Sequence, residues 1–561
     1  MESLILNTAF ISLTPANALA RLAFSNLHEE IMDLKQSNQT DGAQEAHRRM
    51  MIEPDQICDE SVARLRSVLA YDSDGEASDT TTELETDDKK LRGRVWVGYY
   101  LLSLDHKPAE PEWGWSVGKG TDGKTLPDLL LCTRSFAKEH NIMIKNPHAR
   151  FNFSRENMGF YIMRCSRSAS VLLKVDVNNV TNHPYHLNSN ATISFDKLEY
   201  HLQWMEHSRT DGFKNQRRLH AVGTFGEQAL ANLDFEMPTP FPNQIQLGKW
   251  TLGEALGAGT FGRVFFASDT SGDTAAIKMM ERTSENCALI DEEIKTMKAV
   301  TDLARKSRDS ELVMHMVDVI YTRSENFSSQ EAFDQVYVVL KPITSRTLLD
   351  LVLQGKGSQG MTREAATAFR SALLGLKVMH DGGWVHRDLK PSNIGFIKKA
   401  SRSVLLDTGS SKHINKGEFL EHRPGAAGTI NYLAPEFEMN RHDHSVDIWS
   451  MGVVLYELTY RRSPWRFRFN PWRQEYARHR PDFMVAYRDA IRRMASDYQS
   501  ARASPTDGYI HLGALFIGMV RFAEAPGNNK PRLNIDEVLQ HPAWGSLLST
   551  SSPQEKRQRA E

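Results

Sequence analysis

The chain has 561 residues, of which 40% are hydrophobic and 25% are charged, and its formal net charge is −2 at pH 7. This length predicts about two to four domains, and the composition is typical of globular protein. The balanced charge excludes a global pull toward nucleic acid or anionic membranes. The cysteines form no CxxC pair, which excludes a disulfide framework or a cysteine zinc site.

No membrane or targeting segment is predicted. No apolar run reaches the roughly 20 residues that a transmembrane helix needs, so a membrane is not an expected partner. The N-terminal residues are mostly apolar but include Glu2 and no basic residue, so a signal peptide is not expected. Few, widely spaced cysteines suit a reducing compartment, and we therefore predict an intracellular protein of the cytoplasm, the nucleus or both.

The first 90 residues are predicted to form a separate N-terminal region. Its segment 72–88 is rich in Asp, Glu, Ser and Thr and contains no core-forming residue before Leu84. Such a segment cannot bury enough apolar surface to offset the entropy that ordering costs. The segment is therefore predicted to be disordered.

Residues 91–206 show a different pattern, in which short strand-like segments are separated by turn residues. This pattern predicts an all-β sandwich. Two stretches, WSVGKG at 115–120 and NPHARF at 146–151, resemble a forkhead-associated domain in a degenerate form. The resemblance implies phosphothreonine peptides as partners, bound by basic and hydroxyl groups on loops at one end of the sandwich.

The match to forkhead-associated domains is partial. Lys119 stands where that family usually has an Arg, and His148 and Arg150 stand near its S-x-x-H motif. Residues 168–170, Ser-Ala-Ser, occupy about the place of its Asn-Gly pair. Lys119, Arg150 and Arg167 are the candidate phosphate ligands. The alternative is that the sandwich persists while its phosphate site has decayed.

The stretch 207–246 is predicted to be a linker. It contains prolines at 238, 240 and 242, and spaced prolines favour a semi-rigid connection. We therefore expect a connector without a functional motif between the sandwich and the domain that follows it.

A glycine-rich loop, LGAGTFGRV, occupies residues 256–264. Glycines let a backbone close over phosphate groups and present its N–H groups without a Cβ in the way. A dinucleotide-binding loop shares the GxGxxG core but follows a strand and opens a helix, whereas strand-like residues flank this loop on both sides and predict a hairpin. The residues assigned to the nucleotide are Leu256, Gly257, Ala258, Gly259, Thr260, Phe261, Gly262 and Val264.

Further short motifs follow the loop in a fixed order. Together with the loop, they resemble eukaryotic-type serine/threonine protein kinases and predict a kinase domain at 247–545, followed by a disordered tail at 546–561. The predicted fold class is therefore multidomain, with a bilobal α+β kinase fold after the all-β sandwich. The motifs are AAIK at 275–278, HRDLKPSN at 386–393, LLDTG at 405–409, APE at 434–436 and DIWSMG at 447–452.

The resemblance assigns roles to residues of these motifs. ATP and Mg²⁺ are the implied cofactors, and the implied reaction transfers the γ-phosphoryl group of Mg-ATP to Ser or Thr of protein substrates. Asp388 would orient the attacking hydroxyl, and Lys390 would stabilise the transferring group. Asn393 and Asp407 would hold the metal. Lys390 and Thr429 are the signals for Ser/Thr rather than Tyr specificity.

Lys278 would neutralise phosphates of ATP, and this role requires an acidic partner on the next helix. Glu293 fits best, because the apolar residues at i+4 and i+7 then lie on its face of the helix. Glu292 is the alternative. The resemblance therefore predicts a Lys–Glu pair at the nucleotide site.

The adenine ring would lie between the strand of Ala276 and the segment that begins at Leu340. Backbone groups of that segment would bind adenine by hydrogen bonds. Pro342 has no N–H, so the donor is expected to be Lys341 or Ile343.

Departures from the kinase pattern concern regulation. Thr408 replaces the Phe of the D-F-G motif, whose packing separates active from inactive states. In the kinase pattern, Arg387 would bind an activating phosphate on a residue of the stretch 423–427. That stretch has no hydroxyl residue in this chain. Either other contacts order this segment, or Ser410 and Ser411 substitute. The alternative function is a pseudokinase scaffold that binds ATP without transferring phosphate and carries a phosphopeptide-reading N-terminal domain.

Residues 461–493 are dense in Arg and aromatic residues. Such a mixture can stack on nucleic-acid bases. We favour a helical insert whose aromatic side chains pack on the domain, so nucleic acid is not an expected partner. The order of domains resembles that of forkhead-associated checkpoint kinases, which implies a role in nuclear signalling.

Overall fold

The computed structural model describes most of the chain. The acidic segment 72–88, the stretch 423–427, the tail beyond Leu548 and two glycine-loop residues, Thr260 and Phe261, lie outside the described residues, so the predictions for them are not addressed. The described residues are 7–36, 49–52, 96–120, 126–168, 170–231, 233, 235–240, 244–259, 262–322, 334–354, 360–415, 417–421, 428–438, 441–503, 509–522 and 530–548.

The chain divides into two compact units. The first contains residues 1–255 together with 266–274, and the second contains 256–265 and 275–561. The short segment 266–274 therefore belongs with the first unit, although it lies between parts of the second in the sequence. None of the described helices combines the length and the apolar character that crossing a bilayer requires.

The first unit is built mainly of short β-strands, with helices α1 (Ala18–Gln36) and α2 (Arg134–Glu139) between them. A β-rich N-terminal fold is thus confirmed, while the forkhead-associated resemblance stays a prediction. The strands are β1 (Ala9–Pro15), β2 (Met50–Ile52), β3 (Gly98–Ser103), β4 (Trp115–Lys119), β5 (Leu129–Cys132), β6 (Ala149–Phe153), β7 (Phe160–Arg164), β8 (Leu173–Val175), β9 (Asn178–Asn179), β10 (Tyr185–His186), β11 (Ala191–Phe195) and β12 (Leu198–Trp204).

These strands form two sheets, with the orders β2-β3-β1-β12-β11-β8-β9 and β10-β7-β6-β4-β5 in the described part of the chain. In β12 every second side chain from Leu198 to Trp204 is buried, and those between are more exposed. This period of two places one face of a strand on the core. Phe10 of β1 packs edge-on against Phe160 of β7, with ring centroids 5.2 Å apart, so aromatic side chains join the two sheets.

The sandwich begins before the predicted boundary at residue 91. Strand β1 lies inside the larger sheet, where Leu13 pairs with Tyr100 of β3 on one side and with Leu202 of β12 on the other. The boundary prediction differed because the partners of β1 lie far along the chain, beyond the acidic segment, and leave no local signal near residue 9. Residues 9–15 and 50–52 of the predicted N-terminal region therefore belong to the sandwich.

The predicted linker 207–246 is also part of the first unit, because it forms helices α3 (Asp211–Phe225) and α4 (Glu227–Ala231). Thr210 caps α3, since its hydroxyl accepts a hydrogen bond from the Phe213 N–H at 3.1 Å. Phe213 is fully buried, with its ring 5.1 Å from that of Phe10. The spaced prolines predicted a connector, but apolar residues of α3 such as Phe213 are buried in the first unit instead.

The candidate phosphate ligands of the sandwich differ in their surroundings. Arg150 pairs with Glu110 at 2.9 Å. His148 is completely buried, and its Nε2 lies 2.9 Å from a backbone carbonyl oxygen. Lys119 is half-buried and Arg167 is exposed. A phosphate would have to compete with Glu110 for Arg150, and phosphopeptide binding stays a prediction.

His220 of α3 is expected to make the stability of the first unit depend on pH. Its ring stacks on Trp115 with centroids 6.0 Å apart, and its Nε2 has no hydrogen-bond partner among the described residues. Burial, and then the charge of Lys107, lower the pKa of His220 from 6.5 to about 4. The unfolded chain therefore binds more protons than the folded chain between these two values, and stability is lost as the pH falls below 6.5.

We expect this residue to lower the free energy of unfolding by about 2 kcal/mol between pH 7 and pH 4.5. Urea denaturation at several pH values measures the effect. His220→Gln should flatten the pH dependence, whereas His183→Gln, which changes an exposed histidine of the same unit, should leave it unchanged. Equal slopes for wild type and His220→Gln would contradict the prediction.

The C-terminal half contains a larger sheet and several short strand pairs. The strands are β13 (Gln246–Leu247), β14 (Trp250–Gly259), β15 (Gly262–Ser268), β16 (Thr274–Arg282), β17 (His315–Tyr321), β18 (Asp334–Lys341), β19 (Arg346–Thr347), β20 (Trp384–Val385), β21 (Ile394–Ile397), β22 (Arg402–Leu405), β23 (Lys412–His413), β24 (Leu420–Glu421) and β25 (Arg441–His442). The larger sheet has the order β13-β14-β15-β16-β18-β17 in the described chain, and β19-β21-β22 form a smaller one.

The second unit contains eight α-helices among its described residues. Every residue from 446 to 459 is buried, which is typical of a helix at the centre of a domain. That helix is α8 in the following list. The helices are α5 (Cys287–Ala304), α6 (Leu348–Gln354), α7 (Arg363–Asp381), α8 (Ser445–Tyr460), α9 (Arg480–Ala503), α10 (Gly513–Met519), α11 (Ile535–Leu539) and α12 (Gly545–Leu548).

The Arg-rich and aromatic stretch 461–493 packs on the second unit. Trp465, Trp472 and Phe483 are each no more than 5% exposed. Trp465 stacks on Trp449 of α8 with ring centroids 5.5 Å apart. These three aromatic side chains thus belong to the hydrophobic core, as the prediction of a packed insert expects.

Candidate active site

Lys278 and Glu293 form an ion pair between β16 and α5. The Lys278 Nζ lies 2.6 Å from the Glu293 Oε1, and both side chains are largely buried. Glu292 pairs instead with Lys412 at 3.0 Å on a more exposed surface. The buried face of α5 includes Met297, so the helical periodicity distinguishes the two glutamates. The structure brings Glu293, and not Glu292, to Lys278.

Asp407 lies next to this pair. Its Oδ1 is 3.4 Å from the Lys278 Nζ, and its backbone adopts a left-handed conformation with φ of +54°. Burial disfavours the charged form of Lys278, but the nearby carboxylates of Asp407 and Glu293 outweigh it and raise the pKa of Lys278. Lys278 therefore stays cationic at neutral pH, as a phosphate-binding group must.

Thr408 occupies the position of the missing aromatic residue and is buried. The next residue, Gly409, approaches Glu293 so closely that a Cβ there would lie 2.5 Å from the Glu293 Cγ. The Gly409 backbone thus lies against the Glu293 side chain and leaves little space there for a larger side chain. The Lys–Glu pair thus forms in this structure with threonine at the aromatic position.

Three polar side chains bond to the Asp388 carboxylate, two from the same loop and one from Thr429. The Oδ2 atom accepts hydrogen bonds from Lys390 Nζ at 2.9 Å and from Asn393 Nδ2 at 3.0 Å. The Oδ1 atom accepts one from the Thr429 hydroxyl at 2.7 Å, and Lys390 also donates to that hydroxyl at 2.9 Å. Asp388, Lys390, Asn393 and Thr429 therefore form one connected network, and Asp388 has donors on both oxygens.

Asp447 of α8 supports the backbone of this loop. Its carboxylate accepts hydrogen bonds from the N–H groups of His386 at 2.8 Å and Arg387 at 2.9 Å. It also lies 2.9 Å from the His380 Nε2. Burial opposes the charge on Asp447, but these partners lower its pKa overall. A charged carboxylate with several donors is a strong buried anchor for the loop.

The adenine-pocket residues lie on neighbouring strands. Ala276 of β16 is the cross-strand partner of Leu340 of β18, and Leu340 is 5% exposed. Strand β18 ends at Lys341, and Ile343 follows in the next segment, half-buried. The apolar groups and the backbone predicted to enclose adenine are thus close together.

The glycines of the loop differ in their surroundings. A Cβ on Gly262 would lie 2.0 Å from the Met279 carbonyl oxygen, so this position requires glycine. A Cβ on Gly257 would meet nothing within 4 Å, and the position is exposed. Leu256 is 42% exposed and Val264 is half-buried. Gly257 therefore stands at an open surface that a ligand can approach, whereas Gly262 is required by the fold.

The predicted Mg²⁺ ligands, Asn393 and Asp407, carry oxygen atoms of the kind that Mg²⁺ prefers. The Nδ2 atom of Asn393 donates to the Asp388 backbone carbonyl at 2.8 Å, which leaves the amide oxygen as the atom for a metal. Asp407 is about half-exposed and adds a carboxylate oxygen. Among the described residues no group of three or more His, Cys, Asp and Glu side chains could hold a metal. Two protein oxygens supplemented by phosphate oxygens are the coordination that Mg²⁺ commonly has at nucleotide sites.

Arg387 is held by protein groups. Its Nη1 donates to the Ser410 backbone oxygen at 3.3 Å, and its guanidinium lies 5.6 Å from the centre of the Phe437 ring. Burial lowers the pKa of Arg387. The segment could be ordered by contacts with other protein groups or by phosphates on Ser410 and Ser411. The structure shows contacts of the first kind, and Ser411 is fully buried rather than exposed at the surface.

Some residues that shape the site were not predicted. Lys412 binds Glu292 on α5 from strand β23, and His380 reaches Asp447 from the last turn of α7. No local pattern distinguishes these residues, because their partners lie far away in sequence. Glu436 and Arg532 form an ion pair, in which a second bond joins Arg532 Nη2 to Glu436 Oε2 at 3.1 Å.

Comparison with known proteins identifies the class of domain to which this site belongs. Residues 250–510 match the family model described as "Protein kinase domain". The matched residues include the Lys278–Glu293 pair and the loop around Asp388. Residues 250–510 therefore form a protein kinase domain.

Several serine/threonine kinases are similar to this part of the chain. Calcium/calmodulin-dependent protein kinase type 1 of Caenorhabditis elegans is 31% identical over 232 residues, which are 39% of this chain and 58% of that protein. The kinase cmkA of Emericella nidulans is 32% identical over 223 residues, 39% of this chain and 48% of that protein. CBL-interacting serine/threonine-protein kinase 8 of Arabidopsis thaliana is 30% identical over 217 residues, 38% of this chain and 44% of that protein. The chain thus spans about half the length of these relatives.

Proposed function

We propose that this protein is an ATP-dependent serine/threonine kinase that transfers the γ-phosphoryl group of Mg-ATP to hydroxyl groups of protein substrates. The observation that carries the proposal is the position of Asp407. Its carboxylate lies 3.4 Å from the paired Lys278, and Asp407 follows β22, the strand that pairs with β21 after the Asp388 loop. The groups proposed to bind phosphate and the loop proposed to bind the substrate hydroxyl are thus linked by a pair of adjacent strands. The similar kinases support the same activity.

The first task of the site is to bind the nucleotide. Lys278, fixed by Glu293, supplies a positive charge for the phosphates, and the open side of the loop at Gly257 lets backbone N–H groups approach them. Ala276 and Leu340 enclose adenine with apolar surface, and the backbone at Lys341 or Ile343 supplies hydrogen bonds. Mg²⁺, held by Asn393 and Asp407, neutralises phosphate charge when bound.

The second task is to orient and deprotonate the substrate hydroxyl. The Asp388 Oδ1 already accepts a hydroxyl hydrogen bond from Thr429 at 2.7 Å, which is the contact that a substrate Ser or Thr needs. Asp388 takes the proton of the substrate hydroxyl, and Lys390 stabilises the negative charge on the transferring phosphoryl group. Such positioning and charge stabilisation supply most of the rate in phosphoryl transfer.

A matched pair of glutamate variants tests the proposal. Glu293→Gln should lower kcat/KM for ATP about thirtyfold, because it weakens a charge-assisted bond worth ~2 kcal/mol to Lys278. Glu292→Gln removes only a half-exposed ion pair and should stay within about threefold of wild type. Steady-state phosphorylation of a Ser/Thr peptide mixture measures both. Equal losses in the two variants would contradict the assigned role of Glu293.

A further inference from the structure

The segment between β15 and β16 forms a tight turn over residues 269–273. The Asp269 N–H donates to the Asp273 carbonyl at 2.9 Å, and the Gly272 N–H donates to the Asp269 carbonyl at 3.0 Å. The Asp269 carboxylate accepts bonds from the N–H groups of Ser271 and Asp273, at 3.0 Å each. These bonds fix the conformation of the turn.

Three of these carbonyl groups accept hydrogen bonds from the sandwich. The donors come from β10 and from two loops of the first unit, and the turn belongs to the same compact unit. The turn is therefore recognised through its backbone, in the way that a ligand is recognised by a binding site. The bonds run from Asn188 Nδ2 to Asp269 O at 2.7 Å, from His186 N to Thr270 O at 2.8 Å and from Asn157 Nδ2 to Gly272 O at 3.4 Å.

The surface of the sandwich also fits the shape of the turn. Asn188 and His186 are 7% and 5% exposed, so their donors lie in a buried contact where a missing partner would be costly. Gly272 has a φ of +84°, and a Cβ there would lie 2.4 Å from the His186 Nε2. Phe235 stacks on Phe266, just before the turn, with ring centroids 4.8 Å apart. Both polar and apolar contacts hold the segment.

The turn has a central place in the hairpin that serves the nucleotide site. It joins β15, which leaves the glycine loop, to β16, which carries Ala276 and Lys278. Holding the turn limits how far the two strands can shift along each other. Motion at this end of the hairpin changes the position of the groups that are predicted to bind adenine and phosphate.

We propose that the N-terminal sandwich is an internal clamp, which binds the turn 269–273 and so positions the hairpin of the glycine loop and Lys278 for ATP. Asn157, His186 and Asn188 are positioning residues in this view. The inference rests on the proposed kinase function and gives the N-terminal domain a role that does not depend on phosphopeptide binding. The occupant of this surface is the turn of the chain itself.

Two variants of the full-length chain test the clamp against a matched control. Asn188→Ala removes a donor, and Gly272→Ala places a methyl group against His186. Gly226→Ala is the control, because Gly226 also has a positive φ, of +83°, but a Cβ there meets no described atom within 4 Å. Hydrogen exchange at residues 269–273 and the dissociation constant for ATP are measured for each, together with kcat and KM.

In both test variants, exchange in the turn should become about fivefold faster, as expected for the loss of one hydrogen bond. The ATP dissociation constant and KM should rise about threefold while kcat stays within about twofold, because the nucleotide groups are displaced before the chemical step. The control should match wild type in both respects. A purely structural role would lower the melting temperature without this selective change in ATP binding.

Unchanged exchange in both test variants would overturn the clamp. Faster exchange with an unchanged ATP dissociation constant would also overturn it, because the turn would then be held without positioning the site. A wild-type chain that binds no ATP would contradict the proposed function, and the exchange measurement would still decide whether the sandwich holds the turn.

Discussion

Replacing Asp388 by Asn is expected to lower kcat about a thousandfold, because the variant removes the base that accepts the proton of the attacking hydroxyl. The affinity for ATP should stay within about twofold of wild type, since Asp388 contacts neither the glycine loop nor Lys278 in the proposed mechanism. Steady-state phosphorylation of a Ser/Thr peptide measures kcat, and calorimetry measures ATP binding. Lost ATP binding would show that the role of Asp388 is misassigned.

The loop should keep its structure in this variant. The amide oxygen of Asn can accept the bonds from Lys390 and Asn393, and its amide nitrogen can donate to the Thr429 hydroxyl, which is able to accept. The melting temperature should therefore change little. Asp381→Asn is the matched control, because it changes a 58%-exposed carboxylate that pairs only with surface Lys377 among the bonds seen at its side chain.

Replacing Asp447 by Ala is expected to lower the free energy of unfolding of the second unit by about 3–5 kcal/mol. The change leaves the buried N–H groups of His386 and Arg387 without their acceptor. Because the same groups hold the backbone beside Asp388, kcat should fall together with stability. Chemical denaturation and peptide phosphorylation measure the two effects.

Asp443→Ala is the control for this prediction. The Asp443 carboxylate accepts one bond, from the Ser445 N–H at 2.9 Å, and the residue is only half-buried. The expected loss is about 1 kcal/mol, with little change in kcat. An Asp447→Ala variant as stable as Asp443→Ala would contradict the role of Asp447 as the anchor of the loop.

Much of the nucleotide site could be predicted from the sequence, because its residues occur in short motifs with fixed spacing. The choice of Glu293 over Glu292 followed from the period of one helix, and the structure pairs Glu293 with Lys278. The network around Asp388 lies within a short stretch of chain, apart from Thr429. Motifs of this kind carry their geometry locally.

Features that depend on distant contacts could not be predicted. Strand β1 pairs with β3 and β12 from far along the chain, so its place in the sandwich left no local signal. The helix α3 was hidden by the prolines that follow it. The bond from Asn188 to the turn at Asp269 is likewise a long-range contact, in which neither residue type indicates the other.

The most direct test of the central claim is the transfer of the labelled γ-phosphoryl group from Mg-ATP to a library of Ser- and Thr-containing peptides by the wild-type chain. The expected result is label on Ser or Thr side chains. The transfer should require Mg²⁺, and the amount of label should increase with time and with protein concentration. Binding of ATP without transfer to any peptide or to the chain itself would contradict the account and favour a scaffold that binds nucleotide without catalysis.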